Sequence, residues 1–124
     1  MRGGVCVLLL IIVAGCRPAL HLTALQLGRT LNADNTVANQ TTRFKPDDAI
    51  YAAALSAQTG SSTITARWSY NGHVISETSK SVSYKGQGAT AFEFKNAGDF
   101  PAGDYKVEIL IDGESAASRD FKVE

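Results

Sequence analysis

Strict alternation of apolar and polar residues past position 62 constrains this chain more than any other feature. In STITARWSYNGHVI, Ile64, Ala66, Trp68 and Tyr70 share one parity, and Thr63, Thr65, Arg67 and Ser69 the other. A period of two sends neighbouring side chains to opposite faces of an extended strand, so this segment buries one face and wets the other. Asn71-Gly72 follows, a pair suited to the positive φ angles of a two-residue type I′ turn, and returns the chain through His73 to Thr78. After the polar stretch SKSVSYKGQG, Phe92 and Phe94 alternate with Glu93 and Lys95. A second hairpin closes the sequence: Tyr105, Val107, Ile109 and Ile111 alternate with Lys106 and Glu108, Asp112-Gly113 turns, and Phe121 and Val123 return. Leu110 falls on the outward parity and Arg119 on the inward one, which predicts a bulge near Arg119 or a guanidinium that extends past the rim of the core.

The earlier segments carry weaker signals. In ALHLTALQLG, Leu20 and Leu22 change parity to Leu25 and Leu27, the pattern of a strand with a bulge. The stretch from Arg29 to Thr42 is rich in turn formers and reads as a loop with a short edge strand around Thr36 to Ala38. KPDDAIYAAALSAQTG supports two readings. Asp47 can cap a helix with Tyr51 and Leu55 on one face, or the segment can be a strand buried on both sides. The strands downstream favour the second. About seven short strands and no amphipathic helix of useful length predict an all-β, two-sheet antiparallel sandwich.

The chain opens with MRGGVCVLLLIIVAGCRP. A membrane-spanning helix needs about 20 apolar residues, and the run from Val5 to Ala14 would extend only about 15 Å as helix. A basic Arg2, a short apolar core and then small residues are the layout of a secretory signal peptide. Val13-Ala14-Gly15-Cys16 resembles the bacterial lipobox. That resemblance implies cleavage before Cys16, a diacylglyceryl group on its thiol and an acyl chain such as palmitate on its new amine. Each buried acyl methylene contributes about 0.8 kcal/mol, and two or more chains anchor durably. Arg17 in place of Asp implies the outer membrane in a Gram-negative host. The expected organisation is a signal peptide over 1–15, a lipidated N-terminus and short tether over 16–19, and one domain over 20–124. Cys6 leaves with the signal peptide, so no disulfide is expected in the mature domain.

Twelve basic residues balance twelve acidic ones, so no summed field draws the chain to nucleic acid. The two histidines, His21 and His73, stand apart in sequence, and Asp47-Asp48 can join Asp34, Asp99 or Asp104 only if the fold gathers them. No serine stands in a nucleophile motif and no glycine-rich phosphate loop exists. The sequence therefore nominates no catalytic residue, metal site or cofactor, and a non-enzymatic protein is expected.

Trp68 lies mid-strand, and Gly103-Asp104-Tyr105-Lys106-Val107 looks like a tyrosine corner, with Val107 where antibody domains carry their second cysteine. These features resemble the immunoglobulin-like, or fibronectin III-like, sandwich. Together with FKPDDAIYAAAL, TARWSYNG and FPAGDYKVEILIDG, they resemble small bacterial lipoproteins with a single immunoglobulin-like domain of unassigned function. A weaker likeness is to BsuPI-type proteinase-inhibitor domains. The resemblance implies a fold and a location; the anchor and the absence of a catalytic set lead to the expectation of an envelope binding or accessory module, held to a membrane through Cys16 and serving an envelope protein partner. The BsuPI-like architecture suggests protease inhibition as the alternative.

Overall fold

A computed structural model describes residues 20–124; the expected leader, tether and Cys16 lie outside the described residues. Eight strands follow one another: β1 (Leu22–Gly28), β2 (Arg43–Phe44), β3 (Ile50–Ser56), β4 (Gly60–Tyr70), β5 (His73–Tyr84), β6 (Gly88–Phe94), β7 (Gly103–Ile111) and β8 (Glu114–Val123). They form a three-stranded sheet in the order β1-β3-β6 and a five-stranded sheet in the order β2-β8-β7-β4-β5. Every pairing is antiparallel except that of the two-residue β2 with β8. The all-β sandwich expected from the alternation is the observed architecture, with one more strand than the seven anticipated.

The inward parities meet between the sheets. Ile64, Ala66 and Trp68 of β4, Val107 and Ile109 of β7, and Phe92 and Phe94 of β6 are all buried in one core. Residues 50–56 are strand rather than helix: Ala52 and Ala54 face the core, and Ala53 on the opposite parity is equally buried between β1 and β6. Alanines there make room for large side chains facing them, a pairing of small against large that fills a sandwich interior. Trp68 stacks on Phe94 at 4.5 Å between ring centroids, and Phe94 stacks on Phe100 at 5.0 Å.

The irregularities have local causes. The change of parity in β1 is a register shift between Leu22 and Ala24. The bulge expected near Arg119 falls instead at Ala116, between the pairs Ile109–Ala117 and Leu110–Ser115. Arg119 keeps its inward parity, and its guanidinium donates to the Leu25 carbonyl of β1 at 2.9 Å, bridging the open side of the sandwich. Between β1 and β2 the chain is loop, with isolated bridges Gly28–Gln40 and Leu31–Val37 in place of the anticipated edge strand.

The largest correction concerns β5. The polar stretch read as a connection is strand as far as Tyr84, because all of it pairs with β4. Alternation fails to mark it because β5 is an outer strand of the wider sheet and most of its side chains are exposed on both faces.

Candidate binding surface

The two ends of the sandwich are built differently. Leu20, the first described residue, is buried, and its N–H donates to the Ser62 hydroxyl near the start of β4 at 3.3 Å. The next residue donates its N–H to the Gln58 side chain at 2.8 Å. The chain therefore joins the domain at the end bearing the β3–β4 turn and the Asp112-Gly113 hairpin. From Ser62 to Tyr70, β4 rises about 26 Å at about 3.3 Å per residue. The Asn71-Gly72 hairpin thus marks the far, or distal, end.

Three tyrosine and asparagine contacts hold that distal end. Tyr105 donates its hydroxyl to the Pro101 carbonyl at 2.7 Å, and Tyr70 donates to the adjoining Ala102 carbonyl at 2.9 Å. The Asn71 N–H donates to the Asp104 carbonyl at 2.8 Å, tying the β4–β5 hairpin to the start of β7. Burial, with a smaller contribution from neighbouring Tyr70, pushes the Tyr105 phenol above the ordinary tyrosine range. A Cβ on Gly103 would lie 2.8 Å from the Tyr70 ring, so only glycine lets that ring lie against the turn, and its φ of 149° also favours glycine.

On this braced end stand Val74 and Ile75, exposed at 56% and 52%, the exposed large hydrophobic residues among those described. A bulge places them side by side: Trp68 pairs Ser76 and Ser69 pairs Val74, leaving Ile75 as the extra residue. Next to them, a cleft of about 340 Å³ is lined by Ser69, Asn71, Asp104, Lys106 and Asp120. A second cleft of about 570 Å³ shares Asp104, Tyr105 and Asp120 with it and continues to Arg43 and Lys122. Lys122 lies 3.6 Å from Asp104. The distal half of the five-stranded sheet thus presents an apolar pair beside clefts of mixed charge. Such a combination suits a protein surface with an apolar centre and a polar rim.

Of the residues singled out in the sequence, Trp68, Tyr105 and Val107 are buried together, with Trp68 and Val107 in register on β4 and β7. Asn71 and Asp112 have φ of 48° and 51°, and Gly72 and Gly113 follow at 87° and 88°. His21 and His73 are both exposed and lie at opposite ends. Asp47, Asp48 and Asp99 line one cleft of about 360 Å³, and Asp34 and Asp104 lie outside it; Asp48 accepts from Lys45 N–H and Arg29 Nε, and Asp34 accepts from the Thr36 N–H and hydroxyl. Among the described residues no group of three or more potential metal ligands forms. Val74 and Ile75 were not singled out; the signal was two successive apolar residues directly after a hairpin turn, where alternation permits one.

Among solved structures, the chain is similar to an immunoglobulin-like protein from Pseudomonas aeruginosa, with TM-score 0.58 and 14% identity over 89% of this chain and 100% of that one. It is also similar to an alkylpurine DNA glycosylase from Pseudomonas fluorescens, solved bound to DNA containing an abasic site analog. There the TM-score is 0.57 and the identity 14%, over 86% of this chain and 30% of that one. Likeness at this identity establishes an immunoglobulin-like fold. No protein-family model matches the chain, and no curated protein matches it.

Proposed function

We propose that this chain is a non-catalytic accessory module of the bacterial cell envelope, anchored through acyl chains on Cys16 and binding an envelope protein partner at its distal end. The observation that carries the reading is polarity along the long axis. The chain enters at Leu20, and the exposed Val74–Ile75 pair lies at the opposite end of β4. A protein tethered by its first residues holds this end farthest from its point of attachment. Bracing by Tyr70, Tyr105 and Asn71 reduces the conformational entropy lost when the surface is covered. An outer-membrane location follows from Arg17 in a Gram-negative host and is part of the same proposal.

The test is crosslinking in cells with a photoreactive residue at position 74, followed by mass spectrometry. A discrete adduct with one envelope protein, lost on Ile75→Ser, is expected. Substituting both Val74 and Ile75 by serine should change stability by no more than about 0.5 kcal/mol, because neither side chain is buried. Background labelling alone at position 74 would refute the binding role.

A further inference from the structure

Independently of the distal surface, we propose that the edge of β5, unpaired among the described residues, pairs with β5 of a second copy of this chain, antiparallel about a two-fold axis at Ser81. The direction of the main-chain groups on β5 follows from its neighbour. The Thr63 carbonyl accepts from the Asp112 N–H, and the Thr63 N–H donates to the Asp112 carboxylate, so Thr63 faces β7. Alternation then turns Ser62, Ile64 and Ala66 toward β5, where they pair Val82, Lys80 and Thr78. The groups left over belong to Glu77, Ser79, Ser81 and Ser83, whose N–H and C=O point away from the sheet.

An open edge of this length is ordinarily blunted by charge, proline or a bulge. β5 has no proline, and its bulge at Ile75 bends only the distal end. Its two formally charged residues are turned aside. Glu77 accepts from Arg67 Nε at 2.6 Å, and Lys80 donates to the Ala91 carbonyl at 2.6 Å with its ammonium 5.0 Å above the Phe92 ring.

Charge selects the register. An axis at Lys80 would set Lys80 against its own copy, and an axis at Ser79 would leave Glu77 opposite Ser81. An axis at Ser81 sets Glu77 opposite Lys85 on both sides, Ser79 opposite Ser83, and Lys80 opposite Val82, so that only unlike charges meet. A groove of about 580 Å³ runs beside this edge, lined by Leu31, Tyr51, Ala89 and Ala91 together with Val82 and Tyr84, which pack half-buried against the core of their own chain. Ser62, which holds Leu20, is level with Val82, next to the axis. With strands about 4.8 Å apart, the two Leu20 residues leave the same face within about 20 Å of each other.

Ser81→Cys in the full-length chain tests the proposal in membranes of the producing cell. Residues paired across such a ladder have Cα atoms about 5.5 Å apart, within disulfide range. Mild oxidation should convert most of the Ser81→Cys chain to a covalent dimer on a non-reducing gel. Ser79→Cys, which faces Ser83 rather than itself, should give several-fold less. Adding Ser79→Pro to Ser81→Cys should abolish the dimer while leaving cooperative melting, since the Ser79 N–H is outside the β4 ladder. Monomer from Ser81→Cys, equal dimer from Ser79→Cys, or dimer that survives Ser79→Pro would each overturn the pairing. None of these variants touches Val74 or Ile75, so failure here leaves the distal adduct intact and the converse holds.

Discussion

Asn71 and Asp112 perform the same task at opposite ends of the molecule. Each opens a hairpin turn with positive φ, and each donates its N–H to a carbonyl on the neighbouring strand, Asp104 for Asn71 and Thr63 for Asp112. Each side chain also accepts the N–H of that same partner, at 2.9 Å from Thr63 and 3.4 Å from Asp104. Positive φ alone would be met by glycine; the carboxylate adds a bond to a third strand. Asp112→Gly should therefore keep the turn yet cost about 1 kcal/mol in urea unfolding, the net value of one hydrogen bond. Asp48 supplies a second residue-level test. The Lys45 N–H foremost, and then Arg29, hold its carboxyl below the usual carboxylate range. Its contribution to stability is present above the unfolded-state pKa and is lost as pH falls through the lower folded value. Asp48→Asn should flatten the stability loss in that acid window, and melting temperature followed across pH 2 to 5, the range spanning the usual carboxylate pKa, checks this. The turns were legible because Asn-Gly and Asp-Gly carry their own φ preference. Their docking was not, since it depends on a strand distant in sequence.

Strands were legible wherever one face is buried and the other wet. β4, β6 and β7 follow their alternation along nearly their full length, and Arg119 shows its unusual parity in the sequence. β5 escaped because most of its side chains are exposed, and in the stretch read as a connection only Val82 and Tyr84 pack half-buried against the core. Likewise, the bulge in the last hairpin lies at Ala116 because a single extra residue there resets parity before the strand reaches Phe121. Packing between elements makes one demand that sequence could only suggest. Gly103 sits where the Tyr70 ring crosses the start of β7, and a methyl group would meet that ring at 2.8 Å with φ at 149°. Gly103→Ala should destabilise the domain by about 1 to 3 kcal/mol, combining displaced packing with backbone strain, and denaturant melts would show it as a lower midpoint with unchanged slope.

At the scale of the whole molecule, the core is graded. Trp68, Phe94, Phe100, Tyr105 and Phe121 form an aromatic network beneath the distal surface, with centroid separations from 4.5 to 6.4 Å. Leu20, Ile64 and Ile111 fill the end where the chain enters. Bulky rings with few rotatable bonds make the distal end stiff, and the apolar pair Val74–Ile75 is displayed upon it. The candidate surface was hidden from the sequence because exposure is a property of the assembled sheet: the bulge at Ile75 and the outer place of β5 leave both side chains uncovered. The proposed anchor stands the other way round: it is read from Val13-Ala14-Gly15-Cys16, which lies outside the described residues. Since the proposed presentation of the distal end to a partner depends on that proposed anchor, the intact mass of the native protein from the membrane fraction is the most direct measurement. The account predicts a polypeptide beginning at Cys16 and heavier than its sequence by a diacylglyceryl group and a further acyl chain. A water-soluble product of unmodified mass that retains residues 1–15 would contradict it.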